Sequence, residues 1–310
     1  MLNVASGLHT TLDSGNSSIG QLPFIITPTV ETDFLDPTAE ILFLQTEIRR
    51  ALLICGAVIL RDFEIGGITQ FKEIVEDFSR SRLLNYAGGA SPRSSLTQGV
   101  YTSTDYPAEM PLSLHNELSY SAEYPRTLFF FCETEPLDGG ETTLGDSRRI
   151  LAGIGSEITD LLKAKEILYV RNLGRDKSSP YSWEAAFETD DPEMAESICR
   201  RQQADFEWSS DGGLRVSFVG PATIVHPETG EEAWFNQAEG FHSGRPRLES
   251  YFGDGSAIPE GILQKIRTVI ARETICHRWQ KGDVMIVDNI LAAHGRRPYS
   301  GPRKIAVAMT

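Results

Sequence analysis

The segment VMIVDN at residues 284–289 is an apolar run that ends in polar residues, and HGR follows it at residues 294–296. This pattern predicts a short buried strand that leads into a turn. A second segment, LHNEL at residues 114–118, carries His115, which precedes His294 by 179 residues. Only a fold that brings distant strands together can join these two histidines. A jelly roll does so, and the sequence therefore favours that architecture.

Similar short runs continue along the chain and predict further strands at residues 57–60, 128–132, 168–173, 214–219, 223–226, 233–235 and 304–309, with PETG at 227–230 as a hairpin turn. Helical spacing predicts helices over residues 36–56, 71–78, from 191 onward and over about 259–274. Residues 84–113 are rich in Gly, Ser, Thr and Pro and are predicted to form a long loop. This mixture indicates a mainly β protein, a β-sandwich or jelly roll with flanking helices, rather than a regular βαβ alternation.

The charge balance excludes several classes of partner. The 310 residues include 29 Lys and Arg against 43 Asp and Glu, a net charge of −14. Nucleic acids and anionic membranes are bound through clustered basic residues, so we expect neither partner. No apolar run is long enough to span a membrane. The first residues lack the basic and apolar regions of a signal peptide.

The four cysteines are far apart, without a C-x-x-C pair, and their flanks are apolar. We therefore expect buried free thiols in a reducing compartment, the cytoplasm, rather than disulfides or a zinc site. The motifs of dinucleotide folds, phosphate loops, nucleophile elbows and helical zinc proteases are all absent.

His115 and Glu117 are two residues apart, so on an extended strand they direct an imidazole and a carboxylate into the same space. Such a pair can give two ligands to one divalent metal, and His294 can give the third. Two histidines and a carboxylate on one face of an iron leave three positions open, which suits enzymes that bind a co-substrate and O₂ together. His-x-Glu pairs also arise by chance, so the spacing alone leaves a metal site and an ordinary polar pair both open.

The other histidines are not favoured as ligands. His226 stands at the mouth of the hairpin and His242 in a Gly/Ser-rich loop, and both are predicted to face solvent or to belong to a lid. His242 is also a candidate substrate contact. His277 follows a helix and is predicted to form a local hydrogen bond, and His9 lies near the N-terminus.

Three ordered blocks of the sequence, from about Leu22 onward, resemble the taurine-dioxygenase family of Fe(II)/2-oxoglutarate oxygenases. Within that family the resemblance is closest to the clavaminate-synthase-like branch and to amino-acid hydroxylases of nonribosomal peptide clusters that are similar to the syringomycin aspartyl hydroxylase. Three blocks in the matching order and spacing are more specific than any one of them. The blocks are LHNELSY (114–120) with FFFC (129–132) and GGET (139–142); HPETGE (226–231) through WFNQ (234–237); and GD (282–283), DN (288–289), HGR (294–296) and GPRK (301–304).

The resemblance implies a double-stranded β-helix, and we expect residues 1–310 to form a single domain in which residues 1–21 are a mobile N-terminal arm. It implies that His115, Glu117 and His294 hold Fe(II) as the catalytic centre. It further implies that Thr142 and Arg303 bind the far carboxylate of the co-substrate 2-oxoglutarate, with O₂ as the oxidant. The planar guanidinium can meet a carboxylate with two parallel hydrogen bonds.

Basic neighbours leave the register of the co-substrate arginine open, because Arg296, Arg297 and Lys304 are close in sequence. Arg303 is favoured because it opens the alternating apolar strand at residues 305–309 and would share the face of that strand's apolar side chains.

Two departures from the family narrow the reaction. Taurine dioxygenase places a further arginine deeper in the last strand, where this chain has Val307 and Ala308, so a sulfonate substrate is not expected. Halogenating relatives replace the carboxylate ligand with a small residue. Glu117 fills that place, so halogenation is not expected either.

The resemblance implies hydroxylation of an unactivated C–H bond of an amino acid or an amino-acid-derived small molecule in secondary metabolism, with release of succinate and CO₂. Desaturation or cyclisation by the same oxidation is an alternative, and so is a substrate tethered to a carrier protein, although the acidic chain favours a free molecule. Arg93, in the loop at 88–93, and Asn236 and Gln237 are the candidate substrate contacts. The competing class is a non-catalytic or zinc-dependent jelly-roll metal protein, which would have no need of Thr142 and Arg303 as a carboxylate clamp.

Overall fold

The structure is built on short strands. A computed structural model describes residues 21–28, 36–91, 93–176, 179, 181–242 and 247–310. The predicted N-terminal arm (residues 1–21) lies outside the described residues except for its last one. The strands β1–β19 are, in chain order, Phe24–Ile26, Ala57–Leu60, Ser95–Thr97, Val100–Thr102, Leu112–His115, Thr127–Thr134, Asp138–Gly139, Thr142–Asp146, Ile167–Leu173, Asp205–Trp208, Leu214–Gly220, Thr223–Val225, Glu232–Trp234, Leu248–Phe252, Ile275–His277, Val284–Asp288, Ala292–Arg296, Tyr299–Ser300 and Lys304–Met309.

Helices precede and interrupt the strands. Asp36 and Asp191 each cap a helix that has proline in its first turn, as the sequence predicted. No helix within the described ranges combines the length and the apolar composition that a membrane span requires. The helices α1–α9 of the described residues are Pro37–Phe43, Gln45–Cys55, Ile68–Ser79, Ser147–Ile154, Ser156–Lys165, Trp183–Phe187, Pro192–Arg201, Ala238–His242 and Glu260–Glu273.

Two sheets share the main apolar core. The larger has seven strands in the order β1-β2-β16-β6-β19-β4-β3, and the smaller has four in the order β15-β8-β17-β5. Phe130 and Met285 from the larger sheet lie in the same buried cluster as Leu144 and Ala292 from the smaller one. This arrangement is the mainly β double-stranded β-helix, or jelly roll, that the sequence predicted.

The larger sheet is buried on both faces. In β6, Phe130 points into the core between the sheets, whereas Phe129 and Phe131 pack under the first three helices. The same alternation occurs in β19, where Val307 faces the core between the sheets and Ala306 faces the helices. Because each side of the sheet is covered, these strands appear in the sequence as continuous apolar runs.

A second unit of β structure flanks the jelly roll. Strands β10-β11-β9-β14 form a separate antiparallel sheet, and β12 pairs with β13 across the predicted turn at residues 227–230. Tyr169 of β9 reaches the main core, whereas Leu173 at the end of the same strand packs in a smaller cluster with α6 and α7. The flanking sheet therefore connects the helices α6 and α7 to the jelly roll.

Two predicted elements differ from the structure. The helix expected over residues 36–56 is divided at Leu44, whose φ of −82° and ψ of 2° lie outside the α-helical region. The predicted loop at residues 84–113 contains the short hairpin β3–β4 and the start of β5. Tyr101 pairs with Val307, so β4 joins the edge of the large sheet. Local composition cannot predict such a long-range pairing.

Two local predictions were wrong, those for His226 and Cys276, whereas the one for His277 was not. His226 is buried rather than exposed, and its Nε2 lies 3.0 Å from Asp288 while its Nδ1 accepts backbone N–H bonds. His277 contacts the nearby Asp283, with its Nε2 3.6 Å from Oδ2, and it also contacts Arg61, far away in the chain. Cys276 is exposed, although the other three cysteines are buried, and all four are free thiols.

Candidate metal centre and co-substrate site

Neighbouring strands of the smaller sheet bring the two predicted histidine ligands together. His115 is the last residue of β5 and His294 is the middle residue of β17, and the two are directly paired in the antiparallel register. Their ring centroids are 4.3 Å apart. The pairing of β5 with β17 therefore joins residues 179 positions apart, as the sequence required of the fold.

Glu117 reaches the same point by a route that the sequence did not predict. Strand β5 ends at His115, and Glu117 lies in the turn that follows. The alternation of an extended strand was therefore the wrong reason for expecting convergence. The next residue, Leu118, has a φ of 54°, and this left-handed conformation turns the chain sharply after Glu117.

The three side chains surround one small space. The Nε2 atoms of His115 and His294 each lie 3.9 Å from the same oxygen, Oε2 of Glu117. One potential ligand atom from each residue lies within 4.8 Å of the other two, and no other such group of His, Cys, Asp or Glu occurs among the described residues. Nitrogen and oxygen ligands bind a divalent metal at about 2.1 Å, so small side-chain movements would close this triangle around an ion.

Both imidazoles present the nitrogen that a metal needs. Nδ1 of His115 lies 2.9 Å from the backbone oxygen of Ser113, and a proton on Nδ1 leaves the lone pair on Nε2. Burial, followed by the electrostatic influence of His115 and of the Arg93 guanidinium, holds the pKa of His294 well below its usual value. His294 is therefore a neutral imidazole, the form that binds metals.

Arg93 lies against the carboxylate of the triad. Its Nη2 is 2.5 Å from Oε2 of Glu117, and its guanidinium carbon lies 4.2 Å from the centre of the Tyr86 ring. The Nε and Nη1 atoms of Arg93 are buried and have no hydrogen-bond acceptor within the described part of the chain. One side of this guanidinium is therefore satisfied by Glu117, and the other side retains unused donors.

A pocket opens beside the triad. Gln237 belongs to its wall, and its Nε2 donates to the backbone oxygen of Asn116 at 2.9 Å. Asn236, the third candidate substrate contact, is buried elsewhere: its carboxamide bonds the backbone of Ala222 and Ala238. The residues that line the pocket include Tyr86, Ala90, Ser91, Leu112, Leu114, His115, Glu117, Tyr120, Gln237, Phe241 and Leu248.

Arg303 is a partly buried cation without a carboxylate partner among the described residues. Its Nε donates to the backbone oxygen of Gly140 at 3.1 Å and its Nη1 to the hydroxyl of Ser103 at 3.2 Å. Burial, together with the positive charge of Arg296, lowers the pKa of Arg303 to about 10. Among the described residues, no negative charge therefore balances the positive charge of this largely desolvated guanidinium.

The neighbouring basic residues are engaged differently. Arg296 is buried and donates to the backbone oxygens of Tyr106, Pro107 and Met110. Lys304 is exposed and forms an ion pair with Glu133 at 2.6 Å. Arg296 therefore holds a loop and Lys304 a surface pair.

Thr142 begins β8 and is buried next to the segment that binds Arg303. Its Oγ1 accepts a hydrogen bond from the indole Nε1 of Trp279 at 2.9 Å. A hydroxyl has one proton to donate and two lone pairs, so this contact leaves the proton of Thr142 available. The sequence interpretation missed Trp279, and the only available signal was a tryptophan within a polar run.

Comparisons with known proteins agree with this geometry. Residues 24–309 match the family model described as taurine catabolism dioxygenase TauD, TfdA family. The chain is 34% identical over 271 residues to the dapdiamide synthesis protein DdaC of Enterobacter agglomerans, with 82% of each chain covered. It is 32% identical over 268 residues to a clavaminate synthase-like protein of Arabidopsis thaliana, with 82% of this chain and 81% of the relative covered.

The fold is also found among solved structures. PvcB of Pseudomonas aeruginosa superposes with a TM-score of 0.55 at 14% identity, covering 96% of this chain and 87% of PvcB. At that identity the likeness establishes the fold alone. The family match over nearly the whole chain carries the further conclusion that this protein belongs to the TauD/TfdA family of dioxygenases, enzymes that use Fe(II), 2-oxoglutarate and O₂.

Proposed function

We propose that the protein hydroxylates an unactivated C–H bond of an amino acid or an amino-acid-derived small molecule in secondary metabolism. In this proposal His115, Glu117 and His294 hold Fe(II), and Thr142 and Arg303 bind 2-oxoglutarate. The observation that carries the proposal is the shared orientation of the two Nε2 atoms toward one oxygen of Glu117. The similarity to a protein of dapdiamide synthesis supports the assignment to a biosynthetic substrate.

The donor set fits ferrous iron. Two neutral imidazoles and one carboxylate match the facial ligand set of non-haem Fe(II) oxygenases, which leaves three positions for other ligands. The contact of His115 with the backbone of Ser113 fixes its ring so that Nε2 faces the ion. When bound, iron and 2-oxoglutarate together activate O₂, and the co-substrate leaves as succinate and CO₂.

The unpaired charge of Arg303 fits the far carboxylate of 2-oxoglutarate. A dianionic co-substrate supplies the negative charge that the protein itself does not place beside this guanidinium. Thr142 adds one hydroxyl donor, oriented by Trp279. Such charge-assisted bonds orient the co-substrate, so its keto-acid end can face the metal ligands.

We further propose two of the three candidate residues, Arg93 and Gln237, as substrate contacts. Arg93 lies beside Glu117 and has two N–H donors without acceptors among the described residues. These donors can bind a substrate carboxylate when a metal ion balances part of the negative charge of Glu117. Gln237 lines the pocket and can contribute its amide oxygen. The carboxamide of Asn236 already bonds two backbone groups, which argues against a direct contact with substrate.

The proposal also specifies the form of the substrate, the cellular compartment and the class of protein. A carrier-tethered substrate would need a docking surface, and the net charge of −14 disfavours an acidic carrier, so we propose a free small molecule. Four free thiols support a reducing compartment, the cytoplasm. A zinc-dependent or purely structural jelly roll has no need of a partly buried arginine that lacks a carboxylate partner among the described residues, so this class is not favoured.

The proposed site is tested by adding Fe(II) and 2-oxoglutarate to the protein without oxygen. Chelation of the metal by the keto acid should produce a visible charge-transfer band. His115→Ala and His294→Ala should abolish it, whereas His242→Ala, at an exposed helix end, should retain it. A folded wild-type protein without the band, or either triad variant with a wild-type band, would refute the proposed site.

The substrate class is tested by measuring succinate release with O₂ present. Free amino acids and their simple derivatives are compared with the same aminoacyl groups loaded on a carrier protein. We expect substrate-dependent succinate from a free compound. Release with carrier-loaded groups alone would overturn the free-substrate proposal and leave the metal site intact.

A further inference from the structure

The turn between β16 and β17 holds the backbone of Glu117. It contains Asn289, which is completely buried. The Oδ1 of Asn289 accepts the N–H of Glu117 at 2.7 Å, and its Nδ2 donates to the backbone oxygen of Glu117 at 3.0 Å. The carboxamide therefore pairs with both polar backbone groups of a single residue, as a neighbouring strand would.

The same asparagine holds both ends of the segment that carries Glu117. Its Nδ2 also donates to the backbone oxygen of Pro125 at 2.8 Å, and its backbone oxygen accepts from the side chain of Asn116 at 2.7 Å. Its backbone N–H donates to Arg126 at 3.0 Å. Both side-chain N–H groups and the side-chain oxygen are thus used within the loop at residues 116–126.

The loop needs this support because ordinary strand pairing ends too early. The bonds between β5 and β17 fix His115, but Glu117 lies beyond the end of β5. Leu118 has a φ of 54°, a left-handed conformation that is unfavourable for a non-glycine residue and persists only where the surroundings impose it. The backbone at Glu117 therefore depends on hydrogen bonds other than those of strand pairing to hold its conformation.

The turn that contains Asn289 is itself rigid. Oδ1 of Asp288 accepts the N–H groups of Ile290 and Leu291, and its Oδ2 lies 3.0 Å from Nε2 of the buried His226. Strand β17 begins directly after this turn and carries His294. The turn is therefore connected to both proposed ligands. It is joined to His294 through the chain of β17 and to Glu117 through the hydrogen bonds of Asn289.

We infer that Asn289 is a positioning residue that sets the carboxylate of Glu117 in register with His294, and that metal affinity depends on it. This inference rests on the metal site proposed above. Asn289 touches neither metal nor substrate and acts through the backbone of Glu117. Partners of this kind behind metal ligands are typically worth 10- to 100-fold in affinity.

The test compares two buried asparagines in the full chain. Asn236 is also buried, but its side-chain hydrogen bonds go to the backbone of Ala222 and Ala238 and not to the 116–126 loop. The dissociation constant for Mn(II), a stable substitute for Fe(II), is measured by electron paramagnetic resonance, together with the free energy of unfolding. Asn289→Ala should raise the dissociation constant about 10- to 100-fold, and Asn236→Ala should leave it within about threefold.

Other outcomes overturn the inference. An unchanged Mn(II) affinity in Asn289→Ala does so, as does an equal loss in Asn236→Ala, because a general loss of stability would then explain both. If Asn289→Ala does not fold, Asn289→Asp is measured instead. It keeps the acceptor for the N–H of Glu117 but loses both donors, and it should still weaken Mn(II) binding at least tenfold.

A further variant separates this inference from the proposed metal site. His115→Ala should lose Mn(II) binding. If it binds as the wild type does, the metal site itself is wrong. If His115→Ala loses binding while Asn289→Ala or Asn289→Asp retains wild-type affinity, the metal site stands and the positioning role of Asn289 falls.

Discussion

Phe130 and Phe131 are neighbours in β6 and are both buried, but they lie on opposite faces of the large sheet. Phe131 stacks on Phe71 of α3 with ring centroids 5.4 Å apart. Phe130 faces the smaller sheet, with its ring 5.3 Å from that of His294. One step along the strand therefore separates a residue that only packs under the helices from one that also contacts a ligand of the proposed metal centre. Hydrophobicity alone does not distinguish the two faces.

The largest expected effect tests this difference directly. Phe131→Ala should lower the free energy of unfolding by about 3–5 kcal/mol, because it leaves a cavity under α3, and should leave Mn(II) affinity unchanged. Phe130→Ala should cost a similar amount and also weaken Mn(II) binding about tenfold, because His294 loses a packing neighbour. Denaturant unfolding and Mn(II) titration measure the two quantities. Equal Mn(II) affinities in the two variants would remove the distinction between the faces.

Arg303 and Lys304 provide the second comparison, again between adjacent residues. Arg303→Met should weaken 2-oxoglutarate binding by about 10²-fold, since removing one partner of a buried charge pair costs about 2–5 kcal/mol. Lys304→Met, which breaks only an exposed pair with Glu133, should change it less than about twofold. Titration of the charge-transfer band without oxygen gives both constants. A 2-oxoglutarate affinity in Arg303→Met within threefold of wild type would contradict the proposed clamp.

The same substitution has an informative effect on stability. Methionine fills similar volume without a charge, so Arg303→Met should unfold at the same or a higher denaturant concentration than the wild type. A marked loss of stability would mean that Arg303 supports the fold through Gly140 and Ser103 rather than awaiting a ligand.

The smallest effect is a pH dependence at the start of β16. Burial opposes ionisation of Asp283, but hydrogen bonds from Arg61 and His277 outweigh it, and the pKa of Asp283 lies below the usual 3.8. A depressed pKa stabilises the fold above the unfolded-state pKa, and this stability is lost as pH falls through the folded-state value. Each unit of depression corresponds to about 1.4 kcal/mol.

We therefore expect the free energy of unfolding of the wild type to decrease between pH 5 and pH 2.5 more steeply than that of Asp283→Asn. Urea unfolding at several pH values measures the two slopes. Mn(II) affinity at pH 7 should be unchanged in Asp283→Asn, because Asp283 lies just before β16 and is not part of the triad. Parallel slopes would show that this carboxylate is not responsible for the acid response.

Local patterns predicted much of the framework. The apolar runs of β2 and β19 and the caps of α1 and α7 follow from short-range rules, since a continuous apolar run and a helix cap each depend on a few adjacent residues. The same rules failed at His226, whose burial depends on Asp288, 62 residues away. They also failed at β4, which exists because it pairs with β19.

The candidate site divides in the same way. The resemblance of three sequence blocks singled out His115, Glu117 and His294, and the structure brings them together. The reason that the strand pattern gave for Glu117 was wrong, because β5 ends two residues earlier. Asn289 belongs to one of these blocks, but its role could not be read from the sequence, and Trp279 was not singled out at all, since an asparagine in a turn and a tryptophan in a polar run are ordinary features there.

The sequence by itself determined the position of many strands and helix caps, the acidic net charge and the presence of ligand-type residues in a recognisable order. Each of these depends on residue type or near-neighbour spacing, so it can be read without knowing the fold. Only the tertiary structure decided which histidines meet, which arginine lacks a counter-charge and which asparagine holds Glu117. These contacts span 163 to 179 residues of chain, and they exist because distant strands share a sheet and exclude water together.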